Sequence, residues 1–290
     1  MVKQVVIVSG KGGTGKTVIS AAFCAIAKNK VIVDADVDAA DLFLLLNPVT
    51  KETYKFSGGC KAVIDQSLCI QCGNCYNNCH FDAINKNFVI DEILCEGCGF
   101  CAKICQNKAI KMQPANSGEW YISETKYGNF VHAKLGIAEE NSGKMVSLIK
   151  YKAVEIANNN NCDWIIVDGP PGIGCSAIAT LANSNCVVVV TEPTLSGLHD
   201  AERIVELAKH FSLPIKFIIN KCDLNQKVTE EIETFCRTNQ IDIIGKIIFD
   251  EDIVQSIIDG QTIMDNQKFK QKDVLLKAWN SIENTINYNK

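Results

Sequence analysis

The chain has 290 residues, of which 47% are hydrophobic and 21% are charged, and its formal net charge is −4. This composition is typical of a globular protein with one large or two smaller domains, and it lacks the basic excess that indicates nucleic-acid binding. The first apolar run is too short for a signal sequence, and later runs such as residues 186–190 are too short to cross a membrane. We therefore expect a cytoplasmic protein with no nucleic-acid partner.

A glycine-rich loop follows the first predicted strand. Residues 4–8 form a short run rich in β-branched side chains, and apolar residues recur at helical spacing from Val18 to Ile26. The segment between them, GKGGTGKT, matches the phosphate-binding pattern G-x-x-x-x-G-K-[ST]. Backbone N–H groups and the start of the helix would hold the phosphates, Lys16 would reach the β- and γ-phosphates, and Thr17 would bind Mg²⁺. The predicted nucleotide-binding residues of this loop are Gly10, Gly12, Gly13, Thr14, Gly15, Lys16 and Thr17.

Strands and helices alternate along the rest of the chain. This alternation predicts an α/β fold with a doubly wound, mostly parallel sheet, in which a nucleotide binds at the carboxyl ends of the strands. Further strands are predicted at 31–33, 164–167, 187–190, 215–219 and 243–248. Helical stretches are predicted around 145–158, 176–182, 199–210, 227–238 and 251–259.

Polar segments follow three of these strands. They read VDADVDAADL from Val33, VDGPPGIGC from Val167 and INKCD from Ile219. A single aspartate or asparagine after a strand often caps a helix or forms a turn. Three such segments behind one phosphate loop favour a nucleotide site.

Fifteen cysteines in a chain expected in the reducing cytosol indicate metal binding rather than disulfides. Eight of them form two copies of the run C-x2-C-x2-C-x3-C, and the second copy lies 26 residues after the first. Three closely spaced thiolates followed by a fourth are typical of a [4Fe-4S] cluster, whereas zinc sites usually pair C-x2-C units across a longer loop. In two-cluster ferredoxins the fourth cysteine binds the other cluster. By that pattern one cluster takes Cys69, Cys72, Cys75 and Cys105, and the other takes Cys95, Cys98, Cys101 and Cys79.

The residue after each run departs from the bacterial ferredoxin pattern, which ends in Cys-Pro. Here Cys79 is followed by His80, and Cys105 is followed by Gln106. We expect His80 to be a polar neighbour beside a complete set of thiolates, with His80 as a ligand the alternative. The change alters the environment of each cluster rather than its ligation.

The segments after the cysteine runs complete the predicted architecture. Residues 119–123 and 130–135 are predicted strands, and residues 273–286 have the spacing of an amphipathic helix. That last helix has few basic residues on its polar face, so we expect it to dock on the core, without stable membrane attachment.

The phosphate loop with its early lysine, the aspartate-rich segment, DGPPG and NKCD together resemble the deviant-Walker ATPases that include MinD, ParA and the nitrogenase iron protein. The cysteine runs resemble the two-cluster ferredoxin domain that some ATPases of the MinD superfamily carry as an insertion. The resemblance implies a discontinuous P-loop ATPase domain at 1–56 and 116–290, and an inserted α+β ferredoxin-like domain at 57–115.

The resemblance also implies roles for charged residues around the phosphates. In such ATPases two subunits face each other across two nucleotides, so Lys11 would reach the nucleotide of a second copy in a homodimer. Asp34 would help to hold the Mg²⁺ shell. Asp36 or Asp38 would orient the attacking water, and the choice between them stays open.

Four further positions take roles from the resemblance. Asp168 with Gly172 would sense the γ-phosphate and shift on hydrolysis. Asn220 resembles the residue that reads the base, and Asp223 completes an N-K-x-D pattern typical of guanine readers, so the sequence leaves GTP open beside ATP. Cys175 matches a cysteine that binds an intersubunit cluster in the nitrogenase iron protein, but a second cysteine is lacking, and we expect a small buried thiol.

Three functions are compatible with these features. The preferred one is an ATP-hydrolysing redox protein, in which switch motion is coupled to two [4Fe-4S] clusters that exchange electrons with a donor or acceptor protein. The second is a carrier or assembly factor for iron–sulfur clusters. The third is a positioning ATPase with a structural ferredoxin module.

Overall fold

The computed structural model describes residues 2–136 and 141–288, which fall into two compact units. The large unit comprises Met1–Tyr54, Trp120–Lys134 and Ser142–Lys290. The cysteine unit comprises Lys55–Glu119 and Leu135–Asn141.

The secondary structure follows the alternation that the sequence predicts. The strands are β1 (Lys3–Ser9), β2 (Lys30–Asp34), β3 (Val49–Phe56), β4 (Cys60–Ile64), β5 (Ile110–Pro114), β6 (Gly118–Thr125), β7 (Gly128–Leu135), β8 (Trp164–Pro171), β9 (Cys186–Thr191), β10 (Ile215–Asn220) and β11 (Asp242–Ile247). The helices are α1 (Lys16–Ile26), α2 (Leu42–Leu46), α3 (Asn74–Asn77), α4 (Phe100–Ile104), α5 (Ser142–Asn159), α6 (Cys175–Leu181), α7 (Leu195–His210), α8 (Gln226–Thr238), α9 (Glu251–Ile258) and α10 (Lys272–Tyr288).

Nine strands form one sheet in the order β11-β10-β9-β1-β8-β2-β7-β6-β3. The pairings from β11 across to β7 are all parallel. This confirms the predicted α/β class with a mostly parallel sheet. Because the strands are parallel, the carboxyl ends of β1, β2, β8, β9 and β10 lie at one edge, where the loops that follow them meet.

The core of the large unit lies on the central strands. Strand β1 has an uninterrupted buried apolar run from Val5 to Val8, which suits a strand covered on both faces. Helix α10 packs its apolar stripe into the same core, where the Trp279 ring lies 5.7 Å from the Phe23 ring and 5.2 Å from the Trp164 ring. The carboxyl-terminal helix is therefore docked on the core, as its spacing predicts.

The strand pairs of the cysteine unit are duplicated, with the same 26-residue offset as its sequence. Strand β4 pairs antiparallel with β5, so that Ile64 faces Ile110, and an isolated bridge joins Ile84 to Ile90. Ile90 lies 26 residues after Ile64, and Ile110 lies 26 residues after Ile84. The two pairs are therefore equivalent, and each joins a residue of the first copy to a residue of the second. The first strand of each copy thus pairs with the last strand of the other copy, so the two copies are interlocked.

Backbone conformations recur at the same offset. Gly73 and Gly99 precede α3 and α4 with φ values of 78° and 72°. No side chain fits at Gly97, because a Cβ at this position would lie 2.0 Å from the Cys60 carbonyl oxygen. The duplication therefore extends to the turns that carry the cysteines.

Across residues 2–136 and 141–288, we find no helix with the length and apolar character needed to span a lipid bilayer.

Candidate functional site

The phosphate loop lies between β1 and α1 and is shaped by its glycines. Gly15 has a φ of 88°, and a Cβ there would lie 2.3 Å from Asn220 Nδ2. A Cβ at Gly10 would lie 2.3 Å from Asp200 Cβ. Both positions therefore exclude larger residues, since neighbouring segments approach the loop too closely.

Lys16 lies at the start of α1 in a buried cluster of carboxylates. Its Nζ is 2.8 Å from Asp168 Oδ1 and 3.7 Å from Asp36 Oδ2. Burial alone would lower the pKa of Lys16, but Asp168, together with Asp34 and Asp36, raises it above the usual lysine value. Lys16 therefore stays cationic at the point where phosphates are expected.

Three of the four aspartates in the segment after β2 differ in their burial. Asp34 is fully buried and accepts hydrogen bonds from the N–H groups of Asp36 and Leu42. Burial and the nearby Asp168 raise the pKa of Asp34 well above its usual value. Burial also raises the pKa of Asp36 to about 6, although Lys16 opposes the shift. Asp38 is exposed.

Three polar atoms at this site are buried without a hydrogen-bond partner among the described residues: Asp168 Oδ2, the Thr14 hydroxyl and Asn220 Oδ1. Buried polar groups are nearly always paired, so such atoms indicate a place where a polar ligand binds. Together with the Thr17 hydroxyl they are oxygen ligands of the kind that Mg²⁺ prefers. The residues present thus fit a magnesium nucleotide.

Of the other three predicted nucleotide residues, Asn220 and Gly172 contact the loop or the end of β1. Asn220 Nδ2 donates a 2.8 Å hydrogen bond to the Thr14 carbonyl. The Gly172 N–H donates to the Ser9 carbonyl at 2.9 Å, so the segment after β8 lies against the end of β1. Asp223 is exposed, and one of its carboxylate oxygens accepts the Phe249 N–H at 2.6 Å.

Lys11 is held by side chains at the end of β9. Its Nζ lies 2.8 Å from Glu192 Oε1, 3.0 Å from the Thr194 hydroxyl and 3.2 Å from the Ser196 hydroxyl. The second oxygen of Glu192 is 2.8 Å from Lys221 Nζ. Neither Glu192 nor Lys221 was predicted as a site residue. A signal was present, since Glu192 directly follows a predicted strand and Lys221 lies inside INKCD.

Cys175 corrects one expectation. The thiol was expected to be buried, but Cys175 is exposed at the first residue of α6. The reason is the helix face, since α6 buries Ser176, Ala177, Thr180 and Leu181 on one side and Cys175 lies on the other.

The eight cysteines of the duplicated runs line two cavities of the cysteine unit. Each cavity has three cysteines from one copy and the fourth from the other, because the interlocked strands bring the last cysteine of each copy beside the first three of its counterpart. The cavity of about 190 Å³ is lined by Cys79, Cys95, Cys98 and Cys101. The narrower cavity of about 30 Å³ is lined by Cys69, Cys72, Cys75 and Cys105. His80 also lines the larger cavity.

Within the described residues, no three His, Cys, Asp or Glu side chains are grouped so that they could bind a single metal ion. The four ligands of a single zinc ion must all lie within about 2.3 Å of it. In a [4Fe-4S] cluster each thiolate binds a different iron. The four cysteines that line each cavity equal the number of thiolates that such a cluster takes.

The parallel sheet, the phosphate loop and its carboxylates define a P-loop nucleotide-binding protein. Residues 5–263 match the model of the CobQ/CobB/MinD/ParA nucleotide binding domain. The chain belongs to this family, as a P-loop ATPase of the MinD/ParA type.

Individual relatives agree with this assignment. An uncharacterized protein of Methanocaldococcus jannaschii is 34% identical over 237 residues, which are 78% of this chain and 80% of that protein. MinD of Pyrococcus horikoshii, solved with Mg-ADP, has a TM-score of 0.61 at 17% identity over 100% of this chain and 99% of that chain. MinD of Aquifex aeolicus, solved in a complex with MinC, has a TM-score of 0.57 at 18% identity over 97% of this chain and 96% of that chain. At these identities the two solved structures show a shared fold.

Proposed function

We propose that this protein is a homodimeric, Mg²⁺-dependent ATPase in which nucleotide-driven switch motion is coupled to electron transfer through two [4Fe-4S] clusters. The observation that carries the proposal is the grouping of eight cysteines around two cavities in a chain that also holds a P-loop site. A redox protein would serve as electron donor or acceptor.

The cysteine unit supplies the ligands for this function. Bound clusters would accept and release single electrons. The chain contributes four thiolates to each cavity, and the interlocked copies hold those ligands on one small scaffold. Hydrophobic side chains such as Ile84 and Ile110 pack beside the cavities and limit the access of water.

The large unit supplies the hydrolytic residues. Lys16 would bind the β- and γ-phosphates, Thr17 and Asp34 would hold the Mg²⁺ shell, and Asp168 with Gly172 would respond to the γ-phosphate. The geometry favours Asp36 over Asp38 as the residue that orients water, because Asp36 lies 3.7 Å from Lys16 whereas Asp38 is exposed.

The comparisons favour a second candidate function. MinD proteins of Pyrococcus horikoshii and Aquifex aeolicus share the fold over nearly the whole chain. A positioning ATPase of the MinD/ParA kind, with the cysteine unit as a structural module, is therefore the alternative. A carrier of iron–sulfur clusters is the third possibility.

Anaerobic purification followed by iron and sulfide analysis tests the proposal. Two [4Fe-4S] clusters correspond to about eight iron and eight sulfide per chain. Electron transfer requires clusters that cycle between oxidised and reduced states without loss, followed by their paramagnetic signal. Release of iron to an apo-acceptor would support the carrier, and hydrolysis stimulated by membranes or DNA would support the positioning ATPase. Zinc in place of iron would overturn the proposal.

A further inference from the structure

Lys11 uses all of its hydrogen-bonding capacity inside its own chain. A lysine ammonium has three donors, and Lys11 has three acceptors, on Glu192, Thr194 and Ser196. For Lys11 to reach the nucleotide of a second copy, as the proposed function requires, these bonds must break. The residues that hold Lys11 therefore oppose subunit pairing.

Glu192 is the charged member of this set and binds two lysines at once. Its side chain is 15% exposed, and its two oxygens lie 2.8 Å from Lys11 Nζ and 2.8 Å from Lys221 Nζ. Lys221 also donates to the Gly13 carbonyl at 3.0 Å. The ion pairs of Glu192 with Lys11 and Lys221 thus connect the phosphate loop with the ends of β9 and β10.

The ionised state of Glu192 is fixed by its partners. Burial alone would raise the pKa of Glu192, but Lys11 and Lys221 lower it below the usual glutamate value. Glu192 is therefore a carboxylate at neutral pH, and its hydrogen bonds to the two lysines are charge-assisted.

We propose that Glu192 is a positioning residue that holds Lys11 within its own subunit, so that Lys11 becomes available to a second copy only when it leaves Glu192. The inference rests on the homodimer of the proposed function and on the role that the family resemblance implies for Lys11, which is to reach the partner's nucleotide. Triphosphate oxygens offer Lys11 more negative charge than one carboxylate, so ATP on a second copy competes for it. Lys221 stays with Glu192 after the exchange, which avoids leaving an unpaired carboxylate.

The variant Glu192→Gln tests this arrangement, because glutamine keeps the shape of the side chain and removes its charge. ATP hydrolysis is measured against protein concentration, and dimer formation with ATP is measured by light scattering. We expect the half-maximal protein concentration to fall by about three- to tenfold, the factor that corresponds to a partly exposed ion pair. The matched control is Glu233→Gln, which removes the Glu233–Lys246 ion pair (2.8 Å) and should leave the concentration dependence unchanged.

A double-mutant cycle separates positioning from a general change in the fold. If Glu192 acts through Lys11, the substitution Glu192→Gln should have no effect on dimer formation in a Lys11→Ala background. Ser196→Ala, which removes a weaker acceptor of Lys11, should shift the concentration dependence in the same direction by a smaller factor. This second variant decides the matter if Glu192→Gln fails to fold.

The outcomes distinguish this inference from the proposed function. If Lys11→Ala keeps normal turnover, the dimeric mechanism itself fails. If Lys11→Ala abolishes turnover but Glu192→Gln and Ser196→Ala leave the concentration dependence unchanged, only the role of Glu192 is overturned. An equal shift from Glu192→Gln with and without Lys11 would also overturn it.

Discussion

Among the described residues, one apolar cluster of the large unit contains 28 buried residues, whereas the cluster of the cysteine unit contains five, one of which is Cys75. Six cysteines of the duplicated runs pack in or against that small cluster. Domains below about 70 to 80 residues seldom bury enough apolar side chains to be stable alone, and many depend on bound metals. The large unit therefore has a core that can stabilise it, whereas the cysteine unit would depend on the clusters proposed for its cysteines.

The two units also use charge differently. The large unit buries a cationic lysine among three aspartates, and four of its buried polar side-chain atoms have no hydrogen-bond partner among the described residues. The walls of both cysteine cavities are mainly cysteine, asparagine and apolar side chains. The charged site of the large unit suits a charged substrate that binds and dissociates. The cysteine cavities suit a permanently bound cofactor.

Iron removal provides the largest expected effect. Treatment with an iron chelator should unfold the cysteine unit and leave the large unit intact, because metal binding and folding of small metallo-domains are coupled. Hydrogen exchange followed by mass spectrometry should show loss of protection in β4 and β5 and none in β1, β8 and β9. Unchanged protection in β4 and β5 would contradict the comparison.

Lys16→Ala should remove ATP hydrolysis by the large unit without removing iron from the cysteine unit. We expect turnover of ATP to fall by about 10²- to 10³-fold, because the residue supplies positive charge to the transferring phosphate. The iron content of the cysteine unit should stay at its original value. Lys51→Ala, which removes a surface ion pair with Glu124 (2.9 Å), is the matched control and should retain full turnover.

Asp36→Asn and Asp38→Asn distinguish two carboxylates of one loop. We expect Asp36→Asn to reduce turnover by about 10²-fold and Asp38→Asn to change it by less than about threefold. The pKa of Asp36 is raised to about 6, so kcat/KM should rise with pH through this value as the carboxylate ionises. Asp36→Asn should remove that acidic limb, and a limb that persists in the variant would assign it to another group.

Lys150 bears on the stability of the large unit rather than on turnover. Burial lowers its pKa to about 7, and it donates to the Thr180 and Ala182 carbonyls at the end of α6. Above pH 7 the unfolded chain, with an ordinary lysine, binds more protons than the folded one, so the free energy of unfolding should rise toward pH 10 by up to about 1.4 kcal/mol per pH unit. Lys150→Met should lose this slope, whereas the exposed Lys152→Met should keep it.

Much of the fold was predictable because its signals are local. Buried strands such as β9 read as continuous apolar runs, and the phosphate loop carries its own glycine pattern. Strand β3 was missed because seven of its eight residues are exposed, so neither an apolar run nor a regular alternation marks it. The grouping of the cysteines was predictable because the two runs follow the pattern of two-cluster ferredoxins, in which the fourth cysteine of each run joins the other set.

The contacts of Lys11 were not predictable from the sequence. Lys11 and Glu192 are far apart in the chain, and they meet because β9 pairs with β1 in the sheet. Spacing rules describe residues on one element, whereas this contact depends on strand order. The same reason explains why Lys221 was read as part of a base-recognition pattern and not as a partner of Glu192.

The most direct test of the central claim is a redox titration of the anaerobically purified protein with Mg-ATP and with Mg-ADP. We predict that ATP shifts the midpoint potential of at least one cluster by roughly 60 mV, a tenfold change in a one-electron equilibrium, and that Lys16→Ala abolishes the shift. Identical potentials with both nucleotides, in a protein that hydrolyses ATP and retains its iron, would contradict the coupling of the two units.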